Sequence, residues 1–401
     1  MKKLRLLLCA FLLMAFLPSG FSQDTIKKQD TGYIFTTVKT LPATPVKNQF
    51  RSSTCWSYST VSFLESELLR MGKDTFDLSD MFVVHKAYPE KAVLFIRFNG
   101  KHNFGPGGAA HDVVNMIRKY GIVPESVYSG QVIGEENPVH GEMDAVLTAD
   151  VEAVLKNPNR KLTPVWMKGF NGLLDAYLGP VPEKFAYKGM EYTPKTFATA
   201  LGLNMDDYVE ISSFNHHPFY SKFIIEIPDN WIMEPVYNVP MDDLIHIIDY
   251  SVMNGYTVAW GADVSEKGFS WKNGVAIVPD KDAPEFAGSD KERWTKMSAS
   301  DQDKLLYKFD KPVPEKEITQ EMRQVEFDNY QTTDDHGLHI VGIANDQQGN
   351  KYYIVKNSWG TTGSPYKGYI YVSEAYVKLK TMDILVNKNA MPEEIRKKLG
   401  L

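Results

Sequence analysis

From Asp334 to Gly360 the chain reads DDHGLHIVGIANDQQGNKYYIVKNSWG. Leu338 to Ala344 and Tyr352 to Lys356 carry the β-branched and aromatic residues of strands, with Asp346, Gln347, Gln348 and Gly349 turning between them. A hairpin of this register returns Asn357 to the neighbourhood of His336. The Asn side chain can accept one imidazole N–H and fix the tautomer, which leaves the other ring nitrogen free as a base. Trp359 is placed to shield that hydrogen bond from water. His339 is a second candidate base on the same strand.

A base of this kind needs a nucleophile, and the other informative segment supplies one. Pro45 to Met71 reads PVKNQFRSSTCWSYSTVSFLESELLRM. Val61, Leu64, Leu68 and Met71 recur at helical spacing, and Ser52, Ser53 and Thr54 before them are N-cap candidates. Cys55 is therefore expected in the first turn of a helix, where the positive end of the dipole favours a thiolate, the nucleophilic form.

Gln49, six residues before Cys55-Trp56, together with His336, Val341-Gly342 and Asn357-Ser-Trp-Gly360, resembles the pattern of papain-like cysteine peptidases. The resemblance implies an α+β fold with a helical half, a β-barrel-like half and an active-site cleft between them. It also implies roles: Cys55 attacks, His336 moves the proton, Asn357 orients it, Trp359 shields, and Gln49 donates to the oxyanion beside the Cys55 N–H. The spacing to Val341-Gly342 selects His336 over His339. No cofactor and no metal are implied.

The chain departs from ordinary members in ways that resemble the bleomycin hydrolase and aminopeptidase C group. Cys55 and His336 are 281 residues apart, and Arg51-Ser-Ser-Thr-Cys-Trp stands where a second cysteine is usual. Phe76-Asp-Leu-Ser-Asp-Met-Phe, Gly107-Gly108 before a helix ending at Gly121, Asn238-Val-Pro and Tyr256 to Val264 fit the same group. In papain-like enzymes the glycine corresponding to Gly107 or Gly108 pairs with extended substrate. In this group a C-terminal arm fills the cleft, its terminal carboxylate meets the substrate's α-amine, and hexamers form. That makes Leu401 a candidate amine clamp, the other reading being a tail packed on the surface. The expected function is an exported cysteine aminopeptidase acting on peptides. The alternatives are a papain-like endopeptidase and an inactive peptide-binding homologue.

The ends and the composition complete the picture. Lys2, Lys3 and Arg5 precede an apolar run from Leu6 to Leu17, with Gly20 and Ser22 before Gln23. This is the form of a secretory signal cut between Ser22 and Gln23, giving a periplasmic or secreted protein with no membrane anchor. Cutting there removes three positive charges, takes the net charge from −6 to −9 and leaves Cys55 as the single cysteine. An acidic chain without a basic block is not expected to bind nucleic acid. The expected organisation is signal 1–22, N-terminal arm 23–42, helical half 43–136, insertion 137–235, β-rich half 236–388 and C-terminal arm 389–401. Asp280 to Lys316 is charge-dense and reads as including a surface loop. His216-His217 lack a Cys, Asp or Glu cluster at ligand spacing, so they are read as structural. Tyr187, Tyr192 and Phe197 are read as core or interface, and Asp334-Asp335 as a solvated turn.

Overall fold

The computed structural model describes residues 32–282 and 294–401. The expected signal segment, the cut before Gln23 and the start of the N-terminal arm lie outside the described residues. Strand β1 (Thr36–Thr40) is followed by helices α1 (Cys55–Arg70), α2 (Asp80–Arg97) and α3 (Ala110–Tyr120). Residues 137–235 then supply α4 (Gly141–Leu155), α5 (Val165–Leu178), β2 (Phe185–Tyr187), β3 (Met190–Tyr192) and α6 (Pro194–Leu201). They continue through β4 (Tyr208–Ser212) and β5 (Lys222–Ile224) into β6 (Pro235–Asn238). After α7 (Met241–Met253) come β7 (Val258–Ala262), β8 (Phe269–Ser270), β9 (Val275–Ala276), α8 (Ala299–Leu306) and α9 (Gln320–Asp328). The chain ends with β10 (His336–Asn345), β11 (Lys351–Lys356), β12 (Tyr369–Ser373), α10 (Glu374–Lys380), β13 (Thr381–Asn387) and α11 (Glu393–Leu399).

Helix α1 is the axis of the helical half. The expected stripe understates it: every residue from Trp56 to Leu68 is buried, because α2 and α3 cover one side and β10 and β7 the other. Met71 follows the helix as its cap and is 39% exposed, so the stripe stops at Leu68. Ser79 caps α2 by accepting the Phe82 N–H at 3.0 Å. Helix α3 buries Val113, Val114 and Ile117 and stops at Gly121, whose φ of +82° suits a residue without a side chain. Phe63, Leu64, Phe82, Val113, Leu147 and Phe170 share one apolar core, each worth roughly 1.5–3 kcal/mol of burial.

One large sheet dominates the other half, in the order β5-β6-β4-β13-β7-β10-β11-β12-β9-β8, with β1 pairing to β10. The hairpin read from sequence is present: β10 and β11 pair antiparallel from Asn345↔Lys351 to His339↔Lys356. Strand β10 starts two residues before the expected Leu338, because His336 and Gly337 pair with Ala262 and Gly261 of β7. On the other side of β7, Gly261 also faces Asp383 of β13. Helices α7 and α11 close this half: Leu244, Ile247, Ile248, Ile395 and Leu399 join Trp260, Leu338 and Tyr353 in a second core. Residues 137–235 are shared between the halves, with α4 and α5 packed on α2 while β4, β5 and β6 extend the sheet. Tyr187 and Tyr192 meet the buried Phe197 edge-on, both at 5.4 Å, as core packing.

Candidate active site

Cys55 opens α1 after a loop in which Phe50 and Ser53 adopt φ of +46° and +55°. Left-handed backbone at such residues costs about 1–3 kcal/mol each and persists only where neighbours impose it. Here Arg51 N–H donates to Pro138 C=O at 3.0 Å, His140 N–H to Arg51 C=O at 3.2 Å, and Ser52 N–H to Gln49 C=O at 3.1 Å. None of the three N-cap candidates caps the helix through its side chain; Thr54 occupies the position and its hydroxyl bonds Ser52 Oγ at 2.6 Å. Gly337 lets strand and helix close on each other: a Cβ there would lie 2.6 Å from Ser59 Oγ and 3.2 Å from the Cys55 carbonyl.

Burial acts against the thiolate expected from the helix dipole. It pushes the Cys55 thiol up to about 12, and the Asp334 and Asp229 carboxylates add to it, against the Gly337 and Trp56 N–H groups. Cys55 itself is partly exposed, so dipole and desolvation act on it together.

His336 is buried at the start of β10, and its Nε2 lies 2.8 Å from Asn357 Oδ1. The same oxygen accepts the Ser358 N–H at 2.7 Å, which fixes the amide orientation and so requires the proton on His336 Nε2. Nδ1 is thereby left as the acceptor. Burial holds His336 down to about 4, opposed by the Asn357 hydrogen bond. The two aspartates before it do not raise it. Trp359 lies over the imidazole with ring centroids 4.7 Å apart, itself braced by Trp271 at 5.3 Å.

Cys55 and His336 line one cavity of about 30 Å³, with Trp56, Gly108, Ala109, Trp260 and Gly337. Its remaining walls carry Asp229, Asp334, Asp335 and Asp383. His339 is not in it. Its Nδ1 bonds Ser62 Oγ at 2.9 Å, in a buried polar bed where Lys356 Nζ donates to Ser62 at 2.7 Å and to Thr44 at 3.1 Å. Gln49 is buried and clamped to the Asn357 segment: its N–H donates to Ser358 C=O at 2.8 Å and its Oε1 accepts from Ser358 Oγ at 3.1 Å. Its Nε2 has no acceptor among the described residues, so it is free to donate.

The glycine pair lies on the opposite wall. Trp56 Nε1 donates to Pro106 C=O at 2.8 Å and fixes the segment. A Cβ on Gly108 would lie 3.0 Å from the Trp56 ring, and one on Gly107 would enter the space of the Asp229 carboxylate. Leu401 does not reach this cavity. Gly400, at φ +73°, turns the chain so that Leu401 N–H donates to Arg396 C=O at 3.1 Å, and Leu401 lines a separate cavity with His111, Arg118, Glu210 and Tyr237.

Two sequence readings are extended by the structure. Asp335 is exposed, as expected of a solvated turn, but is anchored by the Val264 and Ser265 N–H groups at 2.9 and 3.1 Å, while the half-buried Asp334 lines the Cys55 cavity. Glu226 brings a carboxylate to His216 and His217 at 3.1 and 3.0 Å, the acidic partner that sequence spacing failed to suggest. One ligand atom from each lies within 4.8 Å of the others, the sole such group among the described residues, and none of the three lines the Cys55 cavity. Asp229 and Asp383 were not legible at all: neither sits in a motif, and only the fold carries them to the thiol.

The model of the Peptidase C1-like family matches residues 276–400. Aminopeptidase C of Lactococcus lactis subsp. cremoris is 23% identical over 388 residues, covering 87% of this chain and 82% of its own. Aminopeptidase C of Streptococcus thermophilus is 22% identical, covering 87% and 81%. The crystal structure of PepW from Lactobacillus rhamnosis shares the fold with a TM-score of 0.67 at 19% identity, covering 91% of this chain and 84% of that one. Fold, matched segment and relatives agree, and the chain is similar to papain-like cysteine peptidases, aminopeptidase C among them.

Proposed function

We propose that the protein is an exported aminopeptidase in which Cys55, His336 and Asn357 act as nucleophile, base and orienter. The observation that carries this reading is the fixed tautomer: Asn357 Oδ1 holds the proton on His336 Nε2 and leaves Nδ1 to serve the thiol in the same cavity. His336 Nδ1 takes the thiol proton as Cys55 Sγ bonds to the scissile carbonyl carbon. Gln49 Nε2 and the Cys55 N–H receive the oxyanion. Collapse breaks the C–N bond, and the imidazolium gives its proton to the departing amine. Water, deprotonated by His336, then cleaves the thioester and restores the thiol.

Relatives named aminopeptidase C support action at free N-termini. The test is hydrolysis of an aminoacyl-coumarin and its N-acetyl twin under reducing conditions, beside Cys55→Ala. Cleavage of the free-amine form alone, abolished in the variant, is expected; equal cleavage of both would overturn the exopeptidase part. The placement of Leu401 outside the cavity favours a second reading, an endopeptidase with an open cleft, which equal cleavage would establish. Export is tested by the N-terminus of the mature protein, expected at Gln23.

A further inference from the structure

Between β4 and β5 the chain turns through Phe214 to Ser221, and it leaves β5 at Ile225. The two ends of this excursion meet at three side chains. His216 Nε2 lies 3.1 Å from Glu226 Oε2, and His217 Nε2 lies 3.0 Å from Glu226 Oε1. Adjacent side chains on a strand point to opposite faces, but this turn brings both rings to one carboxylate, with centroids 4.5 Å apart. Aromatic neighbours hold the rings: Phe327 stacks on His216 at 5.8 Å, and Phe223 lies beside His217 at 4.9 Å.

The tautomer of His216 is fixed from behind. Gln324 Oε1 accepts the Asn215 N–H at 2.7 Å while Gln324 Nε2 donates to Asp328 Oδ1 at 2.8 Å, which sets the direction of the amide. His216 Nδ1, 3.2 Å from Gln324 Oε1, therefore carries a proton. A neutral imidazole has only one N–H, so Nε2 turns a lone pair toward a carboxylate oxygen 3.1 Å away. Two acceptors in that position need a cation between them. A second proton on His216 would serve, but it would involve one ring only, whereas a metal ion uses both rings and the carboxylate. Donors about 2.0–2.1 Å from a tetrahedral ion stand roughly 3.3 Å apart. The three ligand atoms here lie within 4.8 Å of one another, and Glu226 is exposed and able to adjust. A ring that donates through one nitrogen to a fixed protein oxygen and offers the other is also how metal-binding histidines are oriented.

We propose that His216, His217 and Glu226 bind a divalent transition-metal ion of the zinc class, with water in its remaining positions. Two imidazoles and one carboxylate suit Zn²⁺, Ni²⁺ or Cu²⁺, whereas Mg²⁺ and Ca²⁺ take oxygen ligands. The ion acts as a clamp that ties the turn before β5 to the segment after it. Three residues beyond Glu226 that segment brings Asp229 to the Cys55 cavity, and Asn103 Nδ2 holds it by donating to Pro228 C=O at 2.9 Å.

The experiment titrates Zn²⁺ alone into the untagged full chain by calorimetry. A Cys55→Ala background removes the active-site thiol as a competing ligand. The titration is repeated with His217→Ala and with Glu226→Gln, and Co²⁺ serves as the spectroscopic probe. One equivalent of Zn²⁺ is expected to bind, and excess Mg²⁺ is not expected to compete. Kd is expected to rise roughly 100-fold or more in each variant, past what loss of an outer partner costs. The visible absorption of bound Co²⁺ is expected to vanish in both. Zn²⁺ is expected to raise the thermal midpoint of the parent and to leave that of the variants in place. Equal midpoints without metal check that the variants fold. Absence of stoichiometric Zn²⁺ binding, or binding that survives both substitutions, would overturn the assignment and reduce the trio to an ion pair. Neither outcome depends on peptidase activity.

Discussion

The two walls of the cleft differ in how the chain builds them. The hydrolytic wall comes from short segments whose residue types and spacing state their chemistry: Gln49 with Cys55, and His336 with Asn357 and Trp359 across one hairpin. The acidic wall comes from three distant places, Asp229 before β6, Asp334 before β10 and Asp383 in β13. Catalysis needs atoms set to within a fraction of an ångström, which local backbone geometry supplies. Lining a cavity needs only that segments meet there, which distant parts of the chain can supply.

The largest blow to the hydrolytic wall is Cys55→Ala, expected to lower kcat by about 10⁴-fold or more while leaving the circular dichroism spectrum unchanged. Retained hydrolysis would show that the thiol is not the nucleophile. Gln49→Ala is expected to cost roughly 10²–10³-fold in kcat with little change in KM, as loss of one oxyanion donor does. A KM effect instead would move Gln49 to the binding side of the comparison.

Beneath both walls lies the polar bed of Lys356, Ser62, Thr44 and His339. Lys356→Met removes a buried donor that burial holds down to about 8, and strands the hydroxyls it serves. A loss of about 3 kcal/mol in urea unfolding is expected, and an unchanged midpoint would make the bed dispensable. The smallest effect concerns acid. Burial holds His140 at about 4 in the folded protein, below its ordinary 6.5. Between those values the unfolded chain binds the extra proton, so stability is full above about pH 6.5 and is lost as pH falls toward 4. His140→Gln is expected to lose roughly 2–3 kcal/mol less than the parent between pH 7 and pH 4; parallel losses would assign the acid sensitivity elsewhere, His336, His339 and His85 being groups with the same sign.

What the sequence made legible follows the same division. The hairpin, α1, α3 and the four catalytic candidates were readable because periodicity and spacing act over a few residues. The start of β10 at His336 was not, because its partner Ala262 is 74 positions away. The forces on the Cys55 thiol were legible only in part for a similar reason: the dipole of its own helix is local, but the desolvation and carboxylates that oppose it come from the folded whole. Of the two readings of Leu401, its place in a separate cavity after the left-handed Gly400 accords with the tail that packs on the body of the protein.

The setting of Cys55 also bears on oxidation. Thiolates attack peroxides and disulfides, and burial pushes the Cys55 thiol up to about 12, a shift that disfavours the attacking form. The rate of sulfenic acid formation at Cys55, measured across pH with and without a bound peptide, reports that balance directly.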